Sequence, residues 1–115
     1  MHVLVYISQM DTVFDVLAER NRREILRLLV QSEQSVGDLE SQLNRPQPTI
    51  SKHLRVLREA GLVESRTEAQ KRVYRLRPQP LLELDEWLEP FRRLWTERLD
   101  THQMPDVPKK KRSKR

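Results

Sequence analysis

The sequence PQPTISKHLRVLREAG, residues 46–61, predicts one short helix with a defined start and a defined end. Pro48 suits the first helical position because its missing N–H would have no partner there. Pro48 also disfavours the α conformation of Gln47, so the helix should begin at Gln47 or just after it. Gly61 suits the position after the helix, where the backbone adopts a positive φ.

The two faces of this helix differ in chemistry. Ile50, Leu54 and Leu57 form one apolar stripe with a 3.6-residue period. The opposite face, with its flanks, carries Pro48, Thr49, Ser51, Lys52, Arg55 and Glu59. Small hydroxyls followed by cations suit a helix that lies in the major groove of DNA. An ordinary solvated helix face explains the same pattern, so the neighbouring segments must decide between the two.

Length and composition restrict the classes of protein. The 115 residues suffice for one small domain. The sequence has no cysteine, which excludes disulfides, thiolate metal sites and cysteine catalysis. No stretch has the length of a transmembrane helix, and the run HVLVYI lacks the cationic lead-in of a signal peptide. We therefore expect a cytoplasmic protein with no membrane partner.

Charge is segregated along the chain. Residues 45–77 carry a net charge of +6, whereas residues 1–44 and residues 78–105 each carry −3. The last ten residues, 106–115, carry +5. A basic centre between acidic flanks is typical of a localised surface that binds a polyanion.

Three helices are predicted before the central one, over residues 11–20, 22–31 and 36–43. Asn21 with Glu24, and Ser35 with Asp38, have the spacing of capping boxes at the second and third helices. A short turn at residues 44–46 joins the third helix to the central one. Two short helices in this order, the second with a cationic face, predict a helix-turn-helix.

The period changes after the central helix. Residues 62–66 and 72–76 alternate between apolar and polar side chains, which predicts a β-hairpin with residues 67–71 between its strands. A hairpin in this place is a wing. Its cations, expected to contact phosphates or the minor groove, are Arg66, Lys71, Arg72 and Arg75. A hairpin that merely covers the core is the alternative.

A long helix is predicted from about Leu81 to Thr101, with Pro90 expected to kink or break it. Its apolar stripe is wider than one small domain readily covers, which favours a dimer interface that also uses the first helix. The expected dimerisation residues are Val13, Phe14, Leu84, Trp87, Leu88, Phe91, Leu94 and Trp95. Packing of this helix on its own domain is the alternative.

The predicted fold is mainly α with a two-stranded β-hairpin wing, a dimeric winged helix-turn-helix in the order α-α-α-α-β-β-α. Residues 11–101 form the DNA-binding and dimerisation domain in this prediction. Residues 1–10 are an N-terminal lead-in, and residues 102–115 are a basic, disordered tail.

Three segments, LAERNRREILRLL, PQPTISKHLRVLREAGLVESR and RVYRL, resemble the ArsR family of bacterial repressors. The resemblance implies a homodimer that binds a pseudo-palindromic DNA operator and blocks transcription. It implies that Gln47, Thr49, Ser51 and Lys52 face bases, that His53 and Arg55 contact bases or backbone, and that Arg72 contacts flanking DNA.

Two departures from the family pattern concern the start of the central helix and the metal site. Pro46 stands where many relatives have a serine, so a hydroxyl cap is lost. The helix SVGDLESQL lacks the family's cysteine pair, and Asp100 with His102 matches only half of a second metal motif. The histidines, at 2, 53 and 102, form no plausible zinc set. We therefore expect no metal or cofactor, and the inducer or protein anti-repressor stays unnamed.

The leading hypothesis is a sequence-specific transcriptional repressor or autorepressor, associated with the nucleoid when bound to DNA. The second hypothesis is a winged-helix interaction module that docks an acidic partner without DNA sequence preference. An enzyme is not expected, because no nucleophile, base and acid occur together and no phosphate-binding glycine loop is present.

Overall fold

The computed structural model describes residues 11–100. Residues 11–17 are helical and are called α1. The remaining elements are α2 Arg20–Gln31, β1 Gln34–Ser35, α3 Val36–Leu43, α4 Gln47–Glu59, β2 Val63–Glu68, β3 Lys71–Leu76 and α5 Gln79–Asp100. The chain divides into two compact units between Leu84 and Asp85, and each unit is described by itself. The predicted lead-in and tail lie outside the described residues.

The sheet has one strand more than the predicted hairpin. Its antiparallel order is β1-β3-β2, and Gln34 and Ser35 of β1 pair with Tyr74 and Val73 of β3. A strand of two polar residues has no alternation that a sequence pattern can reveal. Gln34 is nevertheless buried, because its amide is hydrogen-bonded to Ser32, to the Leu28 carbonyl and to Gln42.

The helix starts agree with the prediction at α3 and differ at α2. Ser35 caps α3, and the reciprocal bonds of its hydroxyl and of the Asp38 carboxylate form the predicted capping box. Helix α2 begins two residues earlier than predicted, and Glu19 is its N-cap. Asn21 lies inside the helix, because the Glu19 carboxylate already accepts the Asn21 N–H at 2.8 Å.

Helix α4 begins at Gln47, as predicted, with Pro46 in the N-cap position and no side-chain cap. The Pro46 carbonyl accepts the N–H groups of Thr49 and Ile50 at 3.0 and 3.1 Å, so the backbone alone opens the helix. At the other end, Gly61 has a φ of 81°, the conformation that its position predicts.

The hydrophobic core binds α4 firmly to the rest of the first unit. The largest fully buried side chains are Ile25, Leu39, Ile50, Leu54, Leu57, Leu62 and Val63. They come from α2, α3, α4 and the start of the hairpin, so the predicted apolar stripe of α4 is the buried face. Its opposite face is thereby left toward solvent.

Helix α5 is continuous over Gln79–Asp100, so Pro90 does not break it in two. Leu81, near its start, packs against the core of the first unit. None of the helices within residues 11–100 combines the length and apolarity that crossing a membrane requires.

Candidate nucleic-acid interface

The outer face of α4 presents polar and cationic groups on one surface. Pro48, Ser51, Lys52 and Arg55 are exposed and line one shallow depression. Neither Lys52 nor Arg55 has an acidic group within 4 Å among the described side chains. Cations without an internal partner are available to phosphates or base edges.

The wing tip and the start of α4 lie on the same side of the molecule. Gln47, Lys71 and Arg72 line one depression together with residues 35–38 at the start of α3. All three side chains are exposed. The first turn of α4 and the tip of the hairpin can therefore face a common partner.

Lys71 lies close enough to the Asp38 carboxylate to interact with its charge. The pKa of the Asp38 carboxyl is lowered, first by the Ser35 N–H and hydroxyl that hydrogen-bond to it, and also by the charge of Lys71. Arg72 makes no ion pair with any part of the chain that the structure describes. Arg72 is thus the wing cation with the least internal compensation.

Arg66 and Arg75 lie on the face of the hairpin that is opposite to Arg72. In the β2–β3 register, Val63, Ser65 and Thr67 are opposite Leu76, Tyr74 and Arg72, and these six residues share the face that contains buried Val63 and Tyr74. Arg66, Lys71 and Arg75 belong to the opposite face by alternation along the strands, although Lys71, at the tip, also lines the depression that contains Gln47 and Arg72. The hairpin therefore separates Arg72 from Arg66 and Arg75.

Acidic side chains hold both of these arginines. Arg66 donates to Glu33 at 2.5 Å and to Glu68 at 3.1 Å. Arg75 donates to Glu64, which lies directly opposite in the register and also accepts from Arg77 at 3.3 Å. The bond from Arg75 is the main reason that the pKa of the Glu64 carboxyl is lowered.

Sequence reasoning missed the pairing of Glu64 with Arg75 because it placed the turn at residues 67–71. The strands extend to Glu68 and Lys71, so the turn consists of Ala69 and Gln70 only, both with positive φ. Such a two-residue turn is the commonest hairpin connection. Centring the turn there would have placed Glu64 opposite Arg75.

His53 does not belong to the outer face of α4. The residue is only 8 % exposed, and its Nε2 atom lies 3.9 Å from the Glu19 carboxylate at the start of α2. The ring therefore points toward α2, so we remove His53 from the set expected to touch DNA. Thr49 is half-buried and stays at the edge of that set.

The residues expected at a dimer interface differ in exposure. Trp87, Phe91, Leu94 and Trp95 of α5 are 42–48 % exposed, whereas Leu84 and Leu88 are half-buried. In the first unit, Phe14 is 38 % exposed and Val13 only 2 %, so Val13 has little surface to offer a second copy.

Among residues 11–99, no three histidine or acidic side chains converge in a way that could hold a metal ion. The half motif formed by Asp100 and His102 lies outside the described side chains. Among the described residues of the first unit, the surface formed by α4 and the wing tip is the candidate site.

Comparison with known proteins places this geometry in a family. Residues 19–65, from the α2 cap to the first strand of the wing, match the family described as bacterial regulatory protein, arsR family. A helix-turn-helix transcriptional regulator from Mycobacterium tuberculosis is 37 % identical over 89 residues, which cover 77 % of this chain and 80 % of that protein. The chain belongs to the ArsR family.

Two further similar proteins agree with this placement. The biofilm growth-associated repressor of Agrobacterium fabrum is 44 % identical over 69 residues, or 60 % of this chain. The chain spans only 59 % of that repressor's length. The structure of an ArsR-like regulator from a Rhodococcus species superposes with a TM-score of 0.68 at 31 % identity, covering 84 % of this chain and 92 % of that one.

These similarities confirm the predicted winged helix-turn-helix and the predicted family. The relatives are named as regulators of transcription, in agreement with the expectation that the chain is not an enzyme.

Proposed function

We propose that the chain is a DNA-binding transcriptional repressor that reads its operator with α4 and the wing tip. The observation that carries this proposal is the common surface of Gln47, Lys71 and Arg72, together with Lys52 and Arg55 of α4, which make no ion pair among the described residues. Helix α4 would lie in the major groove, and Arg72 would contact the flanking backbone. Membership in a family of bacterial regulatory proteins supports this assignment.

The proposed DNA-contacting residues are those of the sequence prediction without His53. Gln47, Thr49 and Ser51 supply groups for base edges, and Lys52, Arg55 and Arg72 supply charge. Lys71 is included at the wing tip. Arg66 and Arg75 contribute less, because each would have to exchange an internal carboxylate for a phosphate.

We further propose that the protein acts as a homodimer on a pseudo-palindromic operator. Helix α5 supports the dimer because Trp87, Phe91, Leu94 and Trp95 form an exposed apolar face. The ion pairs of Arg92 with Asp85 and Glu89 lie on the opposite, polar face of the same helix. A second copy of this face is a partner that would cover the exposed aromatic rings.

Repression then follows from occupancy. Two α4 helices, about one turn of DNA apart, would occupy successive major grooves and exclude the polymerase. Such a regulator acts on chromosomal DNA, and we place it in the bacterial cytoplasm.

Selection from a randomised pool of duplex DNA tests whether the protein binds DNA sequence-specifically. We expect an inverted repeat to be enriched and to bind the protein in a gel-shift titration. If no sequence is enriched, the repressor proposal fails and a module that docks an acidic protein partner becomes the better assignment.

Sedimentation velocity tests the dimer independently of DNA. We expect a dimer for the wild type and a monomer for Trp95→Glu, which places a charge on the apolar face. Thr96→Glu is the matched control, since Thr96 is exposed and lies one residue further along the helix. A dimer that survives Trp95→Glu would place the interface elsewhere.

A further inference from the structure

A polar cluster joins the start of α2 to the middle of α4. Oε1 of Glu19 accepts the Asn21 N–H at 2.8 Å and lies 3.9 Å from Nε2 of His53. Glu19 thus caps its own helix and faces α4 with the same oxygen. This contact differs from the other α2–α4 packing, which is formed by buried apolar side chains.

A second polar contact holds the segment that leads into α4. Oδ1 of Asn21 accepts the Arg45 Nε–H at 3.1 Å, and Arg45 lies in the turn between α3 and α4. The turn before α2 is itself fixed, because Arg23 donates to the carbonyls of Leu17 and Ala18 at 2.8 and 3.0 Å. The start of α2 therefore contacts the middle of α4 through His53, and it contacts the segment that precedes α4 through Arg45.

Stability alone does not explain an imidazole at position 53. His53 is 8 % exposed, and its Nδ1 atom is buried without a hydrogen-bond partner among the described residues. The buried Nε of neighbouring Arg22 is in the same situation. An unpaired buried polar atom destabilises a fold, and an apolar side chain of similar shape would avoid that cost.

The charges around His53 favour its neutral form. Burial is the main reason that the pKa of His53 is lowered, and the positive charges of Arg22 and Lys52 lower it further, whereas Glu19 opposes them. The proton of a neutral ring belongs on Nε2, which faces the carboxylate, because Nδ1 has no acceptor within the described residues.

Glu19 stays ionised opposite this ring. Partial loss of water raises the pKa of the Glu19 carboxyl, but the Asn21 N–H, the charge that His53 carries when its ring is protonated and the charge of Arg22 outweigh this effect, and the pKa is lowered. At physiological pH a negative carboxylate therefore faces a neutral imidazole, whose Nε2 atom is 3.9 Å away. This separation exceeds a hydrogen bond, so the contact is an electrostatic one between the ring and the carboxylate.

We propose that His53 is a positioning residue, whose contact with Glu19 sets the rotation of α4 about its own axis. Buried leucines and isoleucine hold α4 in place, and the ring of His53 adds an electrostatic contact with the Glu19 carboxylate that apolar side chains do not supply. Lys52 is adjacent to His53 in sequence, so a rotation of the ring away from Glu19 would also move Lys52. This inference rests on the proposed reading of DNA by α4.

Substitution by a ring without nitrogen separates positioning from stability. In His53→Phe we expect the midpoint of thermal unfolding to be unchanged or raised, because the unpaired nitrogen is removed. Affinity for the duplex recovered by selection should fall about threefold to tenfold. A lowered midpoint with unchanged affinity would mean that the ring is only structural and would overturn the proposal.

A double-mutant cycle removes the complication that Glu19 is also a cap. Glu19→Gln loses capping strength whether residue 53 is histidine or phenylalanine, so only the part of its effect on affinity that vanishes in His53→Phe reports the contact. We expect Glu19→Gln to weaken DNA binding in the wild-type background only, and Glu19→Asp to retain most of the affinity. Equal effects of Glu19→Gln in both backgrounds would contradict the proposal.

Titration of the His53 ring by NMR tests the contact without DNA. Glu19→Gln should lower the pKa of His53 further, since it removes the group that raises it. Glu24→Gln, which disturbs an ion pair with Arg20 on the same helix, is the control and should leave the titration unchanged. An unchanged pKa of His53 in Glu19→Gln would refute the contact. Failure of the wild type to bind any selected duplex would refute the proposed function instead.

Discussion

Helix α4 and the wing carry similar cations in different electrostatic situations. Lys52 and Arg55 of α4 have no acidic partner among the described side chains, whereas Arg66 and Arg75 of the hairpin are each held by glutamates. A count of basic residues treats these four side chains alike. Internal pairing distinguishes them, because a paired guanidinium must give up a carboxylate before it binds a phosphate.

The largest effect on DNA affinity is expected in a comparison of two double variants that lose the same charge. Lys52→Ala/Arg55→Ala should weaken binding to the selected duplex by about 30-fold or more, since each contact contributes about 1–3 kcal/mol. Arg66→Ala/Arg75→Ala should weaken it by less than about threefold. Fluorescence anisotropy at fixed salt measures both.

The thermal midpoint is the control for these two variants. It should stay within a few degrees for Lys52→Ala/Arg55→Ala, because both side chains are exposed. Equal losses of affinity in the two double variants would show that pairing in the free protein does not decide which cations bind DNA.

The two regions also differ in how they use left-handed backbone. Helix α4 is followed by Gly61, which has a φ of 81°, whereas Ala69 and Gln70 of the wing turn have φ of 53° and 78°. Gly61→Ala should lower the free energy of unfolding by about 1–2 kcal/mol, because a Cβ disfavours this conformation. A new Cβ would meet Pro80 only at 4.0 Å, so the cost is conformational rather than steric.

Ala69→Gly is the complementary change in the wing. It removes a Cβ from a left-handed residue and should raise the free energy of unfolding, by about 1 kcal/mol or less. Urea denaturation measures both variants. Opposite signs are expected, and a stabilising Gly61→Ala would exclude the left-handed conformation at the end of α4.

A smaller effect is expected at Arg72, which makes no ion pair among the described residues. Arg72→Ala should reduce affinity about fivefold and flatten the salt dependence by about one unit of slope, while the preferred sequence stays the same. Arg75→Ala is the matched control on the opposite face of the same strand and should change neither quantity appreciably. A changed sequence preference in Arg72→Ala would mean that this side chain reads bases.

Local patterns predicted the helices, because capping residues and the 3.6-residue period act within one turn. Ser35 with Asp38, Gln47 and Gly61 marked boundaries that the structure confirms. The α2 cap was misplaced because Asn21 and Glu24 have the capping spacing, yet the carboxylate of Glu19 takes the same role.

Contacts between distant segments could not be predicted from the sequence. Arg66 and Glu33 are 33 residues apart, and Glu19 and His53 come from different helices, so neither pair leaves a periodic signal. The residues of the candidate interface were therefore predicted by type and face. Which of these cations are free of internal carboxylates could be decided only from the register of the hairpin, which pairs Arg75 with Glu64 and Arg72 with Thr67.

The smallest expected effect concerns pH and again contrasts the wing with α4. Hydrogen bonding from Arg75 is the largest cause of the lowered pKa of Glu64, partial desolvation opposes it, and Arg77 adds to it. A carboxyl whose pKa is lower in the folded chain stabilises the fold above its unfolded pKa of about 4.3 and loses that contribution as the pH falls further.

Glu64→Gln should therefore lower the free energy of unfolding slightly at pH 7 and at pH 5, and the difference from wild type should shrink below about pH 4. Chemical denaturation at several pH values measures it. Glu59→Gln is the control, since Glu59 is exposed on α4 and makes no ion pair within the described chain. A difference that persists unchanged to pH 3 would show that the carboxylate charge of Glu64 does not contribute, and that pairing is not what occupies Arg75.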